Sequence, residues 1–395
     1  MVKSGQAKNV VGFSVETLIK AVHELAGSSV TGQSKNATEL LLPPLNDQQR
    51  DSLLQLRAED LTEMDGKGLA HDHITLGNSM LLLRIPKQSQ LALNANDNLQ
   101  YQATCFARML PSGHTPACYA LLPPSEGIQM GALLVQQIEG CAPTGIGNFQ
   151  SIAKALASIH RLALPSAAER APLYDQQNSL ADTLAEVLLQ SAYLDHRDIS
   201  VGSLKMITEQ LELARTEVAS LEAPPARLIS FDAHPGNFLI DQSGRAILVD
   251  LEKGRYGGCG FDLAHATLYT STTWDTDVNI ELEQSAVENF YKQWLSEMPD
   301  ELGIAMQPTL IPMRRLMWLW SVTWCAKWRV ESKATRLVQK HEARNTEDWA
   351  TQNSSDALVA HVDERTKHYL QEEVISKMTT EFGTLDVTWR QIPEE

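Results

Sequence analysis

The chain has no run approaching the roughly 18 consecutive apolar residues that a membrane-spanning helix needs, although 43% of its 395 residues are hydrophobic. It therefore carries enough apolar matter for a sizeable core and sets none aside for a bilayer. Met1 to Val11 contains two lysines but no apolar stretch after them, so it lacks the form of an export signal and the cytoplasm is the expected compartment. Cysteine is scarce. Cys105, Cys118, Cys141, Cys259 and Cys325 are widely spaced and form no C-x-x-C pair, which argues against a zinc ribbon or redox dithiol and for free thiols. Positive charge is short as well: 33 Lys and Arg against 49 Asp and Glu give a net charge of −16. That balance opposes non-specific nucleic-acid binding and suits a cationic substrate, but acidity that serves solubility alone looks the same. No G-x-x-x-x-G-K-[ST] phosphate loop stands out, which argues against a P-loop enzyme.

The length exceeds that of a usual single domain, so two lobes or two closely packed domains are expected. Ser14 to Ala26 reads as a helix, with Ser14 as N-cap, Glu16 in the first turn and Leu18, Val22 and Leu25 at helical spacing. It belongs to an N-terminal helical extension over 1–58, in which Gly27 to Thr38 is a loop. From 59 to 140 the pattern changes to short strands at Leu61–Met64, Leu69–Leu76 and Ser79–Ile85. They are divided by Asp65-Gly66-Lys67-Gly68 and Gly77-Asn78, as in an antiparallel meander. A helix near Asn98–Met109, a strand after Pro116 and another at Ala132–Ile138 complete this small lobe. From 141 to 395 the chain is mostly helical, beginning with Phe149–Leu164, where Ile152, Leu156, Ile159 and Leu162 keep the helical period. The fold class is α+β, a small antiparallel-sheet lobe followed by a larger helical one.

The most informative stretch runs from Leu228 to Asp241 and from Arg245 to Glu252. Two short apolar strands flank a turn at Asp241–Gly244, and a polar loop with Asp232, His234 and Asn237 precedes the first strand. Phosphoryl transfer needs a carboxylate to orient and deprotonate an acceptor hydroxyl, and oxygen ligands to hold magnesium against nucleotide phosphates. Asp232, Asn237 and Asp250 supply both. The plain alternative is a hairpin whose ends carry turn-forming Asp and Asn.

The loop Ser230-Phe231-Asp232-Ala233-His234-Pro235-Gly236-Asn237 resembles the H-G-D-x-H-P-G-N loop of the aminoglycoside phosphotransferase and choline kinase superfamily. The likeness continues in Val249-Asp250-Leu251-Glu252, in Gly258-Cys259-Gly260-Phe261-Asp262-Leu263-Ala264, similar to G-x-x-x-D-L-A, and in the helix containing Leu156 and His160. The resemblance implies a protein-kinase-like two-lobe fold with a nucleotide-binding N-lobe (59–140) and a C-lobe (141–395) holding the catalytic loop and the acceptor pocket. It implies ATP and Mg²⁺, and transfer to a hydroxyl of a small molecule such as an aminoglycoside, amino alcohol or sugar, with no nucleic-acid or membrane partner. On it, Asp232 is the catalytic base, Asn237 and Asp250 ligate magnesium, Glu252 assists, and Asp262 braces the loop. His234 would hold a tight turn through a side-chain hydrogen bond. Arg84 would reach the phosphates, with Lys87 as runner-up, and Gln137, in the hinge near Gln136–Gly140, would meet adenine through backbone bonds. Gly66 and Gly68 would let backbone approach phosphate, although an ordinary hairpin turn explains them as well. The chain departs from the pattern in having Ser230 for the loop His and Gln102 for the Glu that would pair with the small-lobe cation. These departures motivate a second expectation, a catalytically silent pseudokinase that binds nucleotide or a partner protein. A protein kinase is disfavoured, because no D-F-G and A-P-E-like segments follow Asp250.

Two further patterns invite metal or ligand readings. His71 and His73 alternate on one strand without a further ligand cluster nearby, so a solvent-facing strand segment is expected. Trp320, Trp324 and Trp328 mark one face of a helix, beside Met317 and Trp318. Such a stripe is ordinarily core, and the functional alternative is that one or two rings hold a cationic acceptor by cation–π attraction.

Overall fold

The structure is a computed structural model that describes residues 9–10, 12–28, 40–64, 70–194, 199–332 and 346–390. Two units are distinguished, Met1–Glu139 with Ala168–Leu173 and Leu251–Lys253, and Gly140–Ala167 with Tyr174–Asp250 and Gly254–Glu395. Among the described residues no helix is long and apolar enough to cross a membrane.

In the first unit Ser14 caps α1 (Val15–Gly27), its Oγ accepting from the Thr17 N–H at 3.4 Å. The reciprocal Asn46 and Gln49 bonds of a capping box start α2 (Asp47–Leu54). Arg50 of α2 donates to the carbonyls of Ala26 (2.7 Å) and Ser28 (3.2 Å), satisfying acceptors that the end of α1 leaves open. Strands β1 (Leu61–Glu63), β2 (His71–Leu76) and β3 (Leu81–Pro86) follow, then α3 (Ala95–Met109), β4 (Cys118–Leu122) and β5 (Ala132–Gln136). They form an antiparallel sheet in the order β1-β2-β3-β5-β4, the expected meander continued by two strands. The turn with Gly66 and Gly68 lies outside the described residues.

β3 is buried along its whole length because both of its faces are covered. On one side Leu81, Leu83 and Ile85 join Ile74, Leu76 and Leu134 in a core with Val15, Leu18, Val22 and Ala26 of α1. The N-terminal helix thus closes one face of the sheet and leaves the other to residues of the opposite parity.

The second unit begins with β6 (Gly140–Cys141), α4 (Gly147–His160), α5 (Ser179–Gln190) and α6 (Val201–Ser220). Short strands β7 (Arg227–Ile229), β8 (Phe238–Asp241), β9 (Ala246–Leu248) and β10 (Arg255–Gly257) come next, with β8 between β9 and β6, and β10 paired with β7. The β8–β9 turn is closed by Asp241, whose Oδ1 accepts from Ser243 N–H (2.9 Å) and Arg245 N–H (3.0 Å), while Gly244 takes the left-handed φ of 82° that favours glycine. Helices α7 (Gly260–Thr267), α8 (Tyr269–Thr272), α9 (Gln284–Glu297), α10 (Asp300–Glu331), α11 (Thr346–Gln352), α12 (Asp356–Tyr369) and α13 (Glu372–Arg390) complete it. α10 is its spine. Fully buried Arg314 in α10 donates to Glu381 of α13 (Nε, 3.0 Å) and to Thr267 Oγ1 at the end of α7 (2.6 Å), so the buried charge is both paired and hydrogen-bonded.

Leu18 is fully buried against the sheet. Leu18→Ala should lower the unfolding free energy by about 2–5 kcal/mol, the usual cost of such a cavity, as measured by urea denaturation. An unchanged midpoint would show that α1 is not part of the folded core.

Candidate active site

Past Ile229 the chain leaves β7, and the next two backbone N–H groups, of Ser230 and Phe231, both donate to one carboxylate. They reach Asp262 in the first turn of α7 at 2.8 Å (Oδ2) and 2.7 Å (Oδ1). Asp262 Oδ2 also lies 3.0 Å from Nε2 of His160, at the end of α4, and His160 Nδ1 accepts from the Trp294 indole at 3.0 Å. An indole N–H can only donate, so Nδ1 carries no proton and Nε2–H donates to Asp262. Asp262, His160 and Ser230 are fully buried. The bracing role expected of Asp262 is thus visible in its bonds.

This clamp holds a strained residue. Phe231 has φ of 56°, a region a bulky side chain avoids at a cost of about 1–3 kcal/mol. Its ring packs edge-on against Phe261 and Trp320 at centroid distances of 5.7 and 6.2 Å, and the Arg255 guanidinium carbon lies 3.9 Å from its centroid. The reversal puts Asp232 in a half-buried position, with its N–H donating to Ser230 Oγ at 3.1 Å and its Oδ1 3.8 Å from His265 Nδ1. Ser230, where the family pattern has His, therefore supports the loop with a hydroxyl acceptor.

Asn237 closes the loop. Its side-chain NH₂ donates to the Asp232 carbonyl at 2.8 Å, and its own carbonyl accepts from Val249 N–H at 2.9 Å, next to the Phe238–Leu248 pair of β8 and β9. With the amide nitrogen committed, the side chain offers its oxygen, and Asp250 directly follows the bonded Val249. A carboxamide and a carboxylate oxygen are the hard donors that suit Mg²⁺. The turn at 234–237 is held differently than expected. It closes through Asn237 N–H to the His234 carbonyl (2.9 Å), the His234 side chain makes no cap bond, and its ring lies 5.8 Å from that of His265. Pro235 at the start of a 3₁₀ turn allows backbone closure, and Asn237 takes the side-chain bond assigned to His234. At Gly236 an added Cβ would come within 2.4 Å of Asp275 Oδ2, so glycine admits a second carboxylate to the loop.

In the first unit, cross-strand pairing sets His73 opposite Arg84, and Arg84 is buried on that face. His71 and His73 share it, contrary to the expected solvent-facing segment: His71 is 3% exposed. Arg84 Nη2 lies 3.1 Å from His71 Nδ1, and its Nη1 lies 3.3 Å from His73 Nε2. Gln102 of α3 bonds His71 Nε2 through Oε1 (3.2 Å) and Glu252 Oε2 through Nε2 (3.4 Å), not Arg84 as the aligned position implied. A histidine thus stands between helix and cation. Lys87, the runner-up, is paired with Asp72 at 3.1 Å. The Gln137 N–H donates to the Met80 carbonyl at 2.9 Å, just past the end of β5.

The tryptophan stripe is core at one end only. Trp328 is buried, while Trp320 and Trp324 are half-buried, with Trp324 edge-on to Trp274 at 5.7 Å. All five cysteines are free. Burial pushes the Cys118 and Cys325 thiols up to about 12 and Cys259 well above its ordinary value, so these three stay protonated and inert.

The sequence profile of the phosphotransferase enzyme family matches residues 73–295, more than half of the chain. The chain belongs to that family. Among solved structures, this phosphotransferase is similar to an aminoglycoside phosphotransferase-like protein from Ralstonia eutropha, at 11% identity and a TM-score of 0.54 over 88% of this chain and 98% of that one. It is also similar to the GDP complex of aminoglycoside 2'-phosphotransferase-IIIa, at 14% identity and a TM-score of 0.51 over 79% and 93%. Plasmodium vivax ethanolamine kinase matches at 15% identity and a TM-score of 0.49 over 79% and 82%. No curated protein matches the sequence. The first two likenesses establish the kinase-like α+β fold of the phosphotransferase, with its smaller antiparallel-sheet part and larger helical part.

Asp262→Ala would leave two buried backbone donors and the His160 N–H without an acceptor. It should cost about 3 kcal/mol or more of stability, and denaturation as stable as the parent's would show that the clamp does not hold the loop.

Proposed function

We propose that this phosphotransferase moves the γ-phosphoryl group of ATP to a hydroxyl of a small molecule in the cytoplasm. The observation that carries the reading is the Asn237 amide bonded to the Asp232 carbonyl: one hydrogen bond ties the base loop to Asn237, whose own backbone carbonyl is bonded by Val249, the residue before Asp250. Asp232 would accept the acceptor's proton and align its oxygen with the γ-phosphorus. Asn237 and Asp250 would hold Mg²⁺, which offsets charge on the phosphates. Glu252, whose Oε2 meets Gln102 and His71, would assist at the metal. Arg84 would bind phosphate, Gly66 and Gly68 would approach it through backbone, and adenine would bond backbone after Gln137 or the Gln137 carbonyl.

For the acceptor, Asp275 beside Gly236 and the half-buried Trp274 and Trp324 rings favour a cationic alcohol, an amino alcohol or aminoglycoside over a neutral sugar. Trp324 and Asp275 would raise affinity without touching the reacting atoms.

Purified Asp232→Ala should lose about 10²–10⁴-fold in kcat, and Asp250→Ala should lose magnesium-dependent transfer, with circular dichroism unchanged in both. Full activity in either variant contradicts the assignment. Thermal shift with ATP and Mg²⁺, followed by ADP release on amino alcohols, aminoglycosides and sugars, separates a working kinase from a silent one. Stabilisation with no turnover on any acceptor favours the silent reading.

A further inference from the structure

Arg84, His71, Gln102 and Glu252 form one buried set within the first unit, and its hydrogen-bond chemistry fixes more than its composition does. A guanidinium has donors only, so His71 Nδ1, 3.1 Å from Arg84 Nη2, is an acceptor and carries no proton. The remaining proton of a neutral imidazole is then on Nε2, which faces the Gln102 carbonyl oxygen at 3.2 Å and Glu252 Oε2 at 3.4 Å. The same argument makes His73 Nε2, 3.3 Å from Arg84 Nη1, an acceptor. Two imidazoles from β2 therefore hold the two ends of the guanidinium on β3. Gln102 reads the far side of His71, and its NH₂ donates to Glu252.

We propose that His71 is a positioning residue for nucleotide binding: a neutral imidazole that orients Arg84 through Nδ1 and is itself held by Gln102 of α3 through Nε2–H. This rests on the reading of Arg84 as the phosphate cation. It also explains why an amide is suitable at position 102. At position 102 the imidazole proton meets an acceptor and Glu252 meets a donor. Gln supplies both from one side chain, whereas a second carboxylate would stand against Glu252 with no proton to give.

The role divides between the two ring nitrogens, and amide substitutions separate them. His71→Asn keeps an oxygen acceptor near the place of Nδ1. His71→Gln keeps a donor near the place of Nε2 and loses the acceptor towards Arg84. By isothermal titration with Mg·ATP, His71→Gln should bind about tenfold more weakly than the parent, and His71→Asn within about threefold of it. A residue that only fills space would not be rescued by the smaller amide. Parent-like affinity in His71→Gln, or equal weakening in both variants, would overturn the role of His71 while leaving the kinase reading intact. Absence of Mg·ATP binding by the parent chain would overturn the nucleotide reading and this role with it. Long-range ¹⁵N NMR of the parent, which needs no nucleotide, should show His71 protonated at Nε2 alone. A proton on Nδ1 would remove the acceptor and sink the assignment whatever the activity.

Discussion

One carboxylate organises the loop from Ser230 to Asn237. Asp262 takes two consecutive backbone N–H groups and an imidazole N–H in a buried place, and without those bonds the chain would have no reason to hold Phe231 at a positive φ. The strain is small against three charge-assisted bonds, each stronger than a neutral one. Every later feature of the loop follows from that reversal: Asp232 turned to a half-buried position, its carbonyl available to Asn237, and Asn237 oriented beside the strand that delivers Asp250. Trp294 extends the clamp by deciding which nitrogen of His160 bears the proton.

The loop and hairpin were legible in the sequence because their determinants are local. Asp241 and Gly244 specify a turn by their own backbone chemistry, and Asn237 and Asp250 come just outside the far ends of its two strands, where Val249 N–H bonds the Asn237 carbonyl. The sheet was legible in its strands but not in its faces. Alternation says that His71 and His73 share a side, yet only the pairing of His73 with Arg84 says which side. Asp275 and Arg255 are further from reach: both meet the loop from distant segments, and the single hint was Gly236, a glycine explained by what approaches it. His234 was assigned a bond that Asn237 makes, since a histidine before Pro-Gly and an asparagine after it are equally good turn residues in sequence.

The N-terminal segment has a structural part to play. Its first helix covers the sheet face made by Leu81, Leu83 and Ile85, and alternation along β3 then commits Leu82 and Arg84 to the other face. The core face and the cation proposed for phosphate thus come from the same six residues. The groups proposed to meet the acceptor follow no such rule. Trp274 and Asp275 lie in the turn after α8 and Trp324 lies on α10, all outside the shared motifs, and a fold does not by itself set a substrate.

The central claim is that Asn237 and Asp250 grip a divalent ion that accompanies the nucleotide. Electron paramagnetic resonance of Mn²⁺, titrated into the protein with and without ATP, tests it directly. The account predicts tight Mn²⁺ binding that depends on ATP and is lost in Asn237→Ala. Mn²⁺ binding that is indifferent to ATP, or unchanged in that variant, would contradict it.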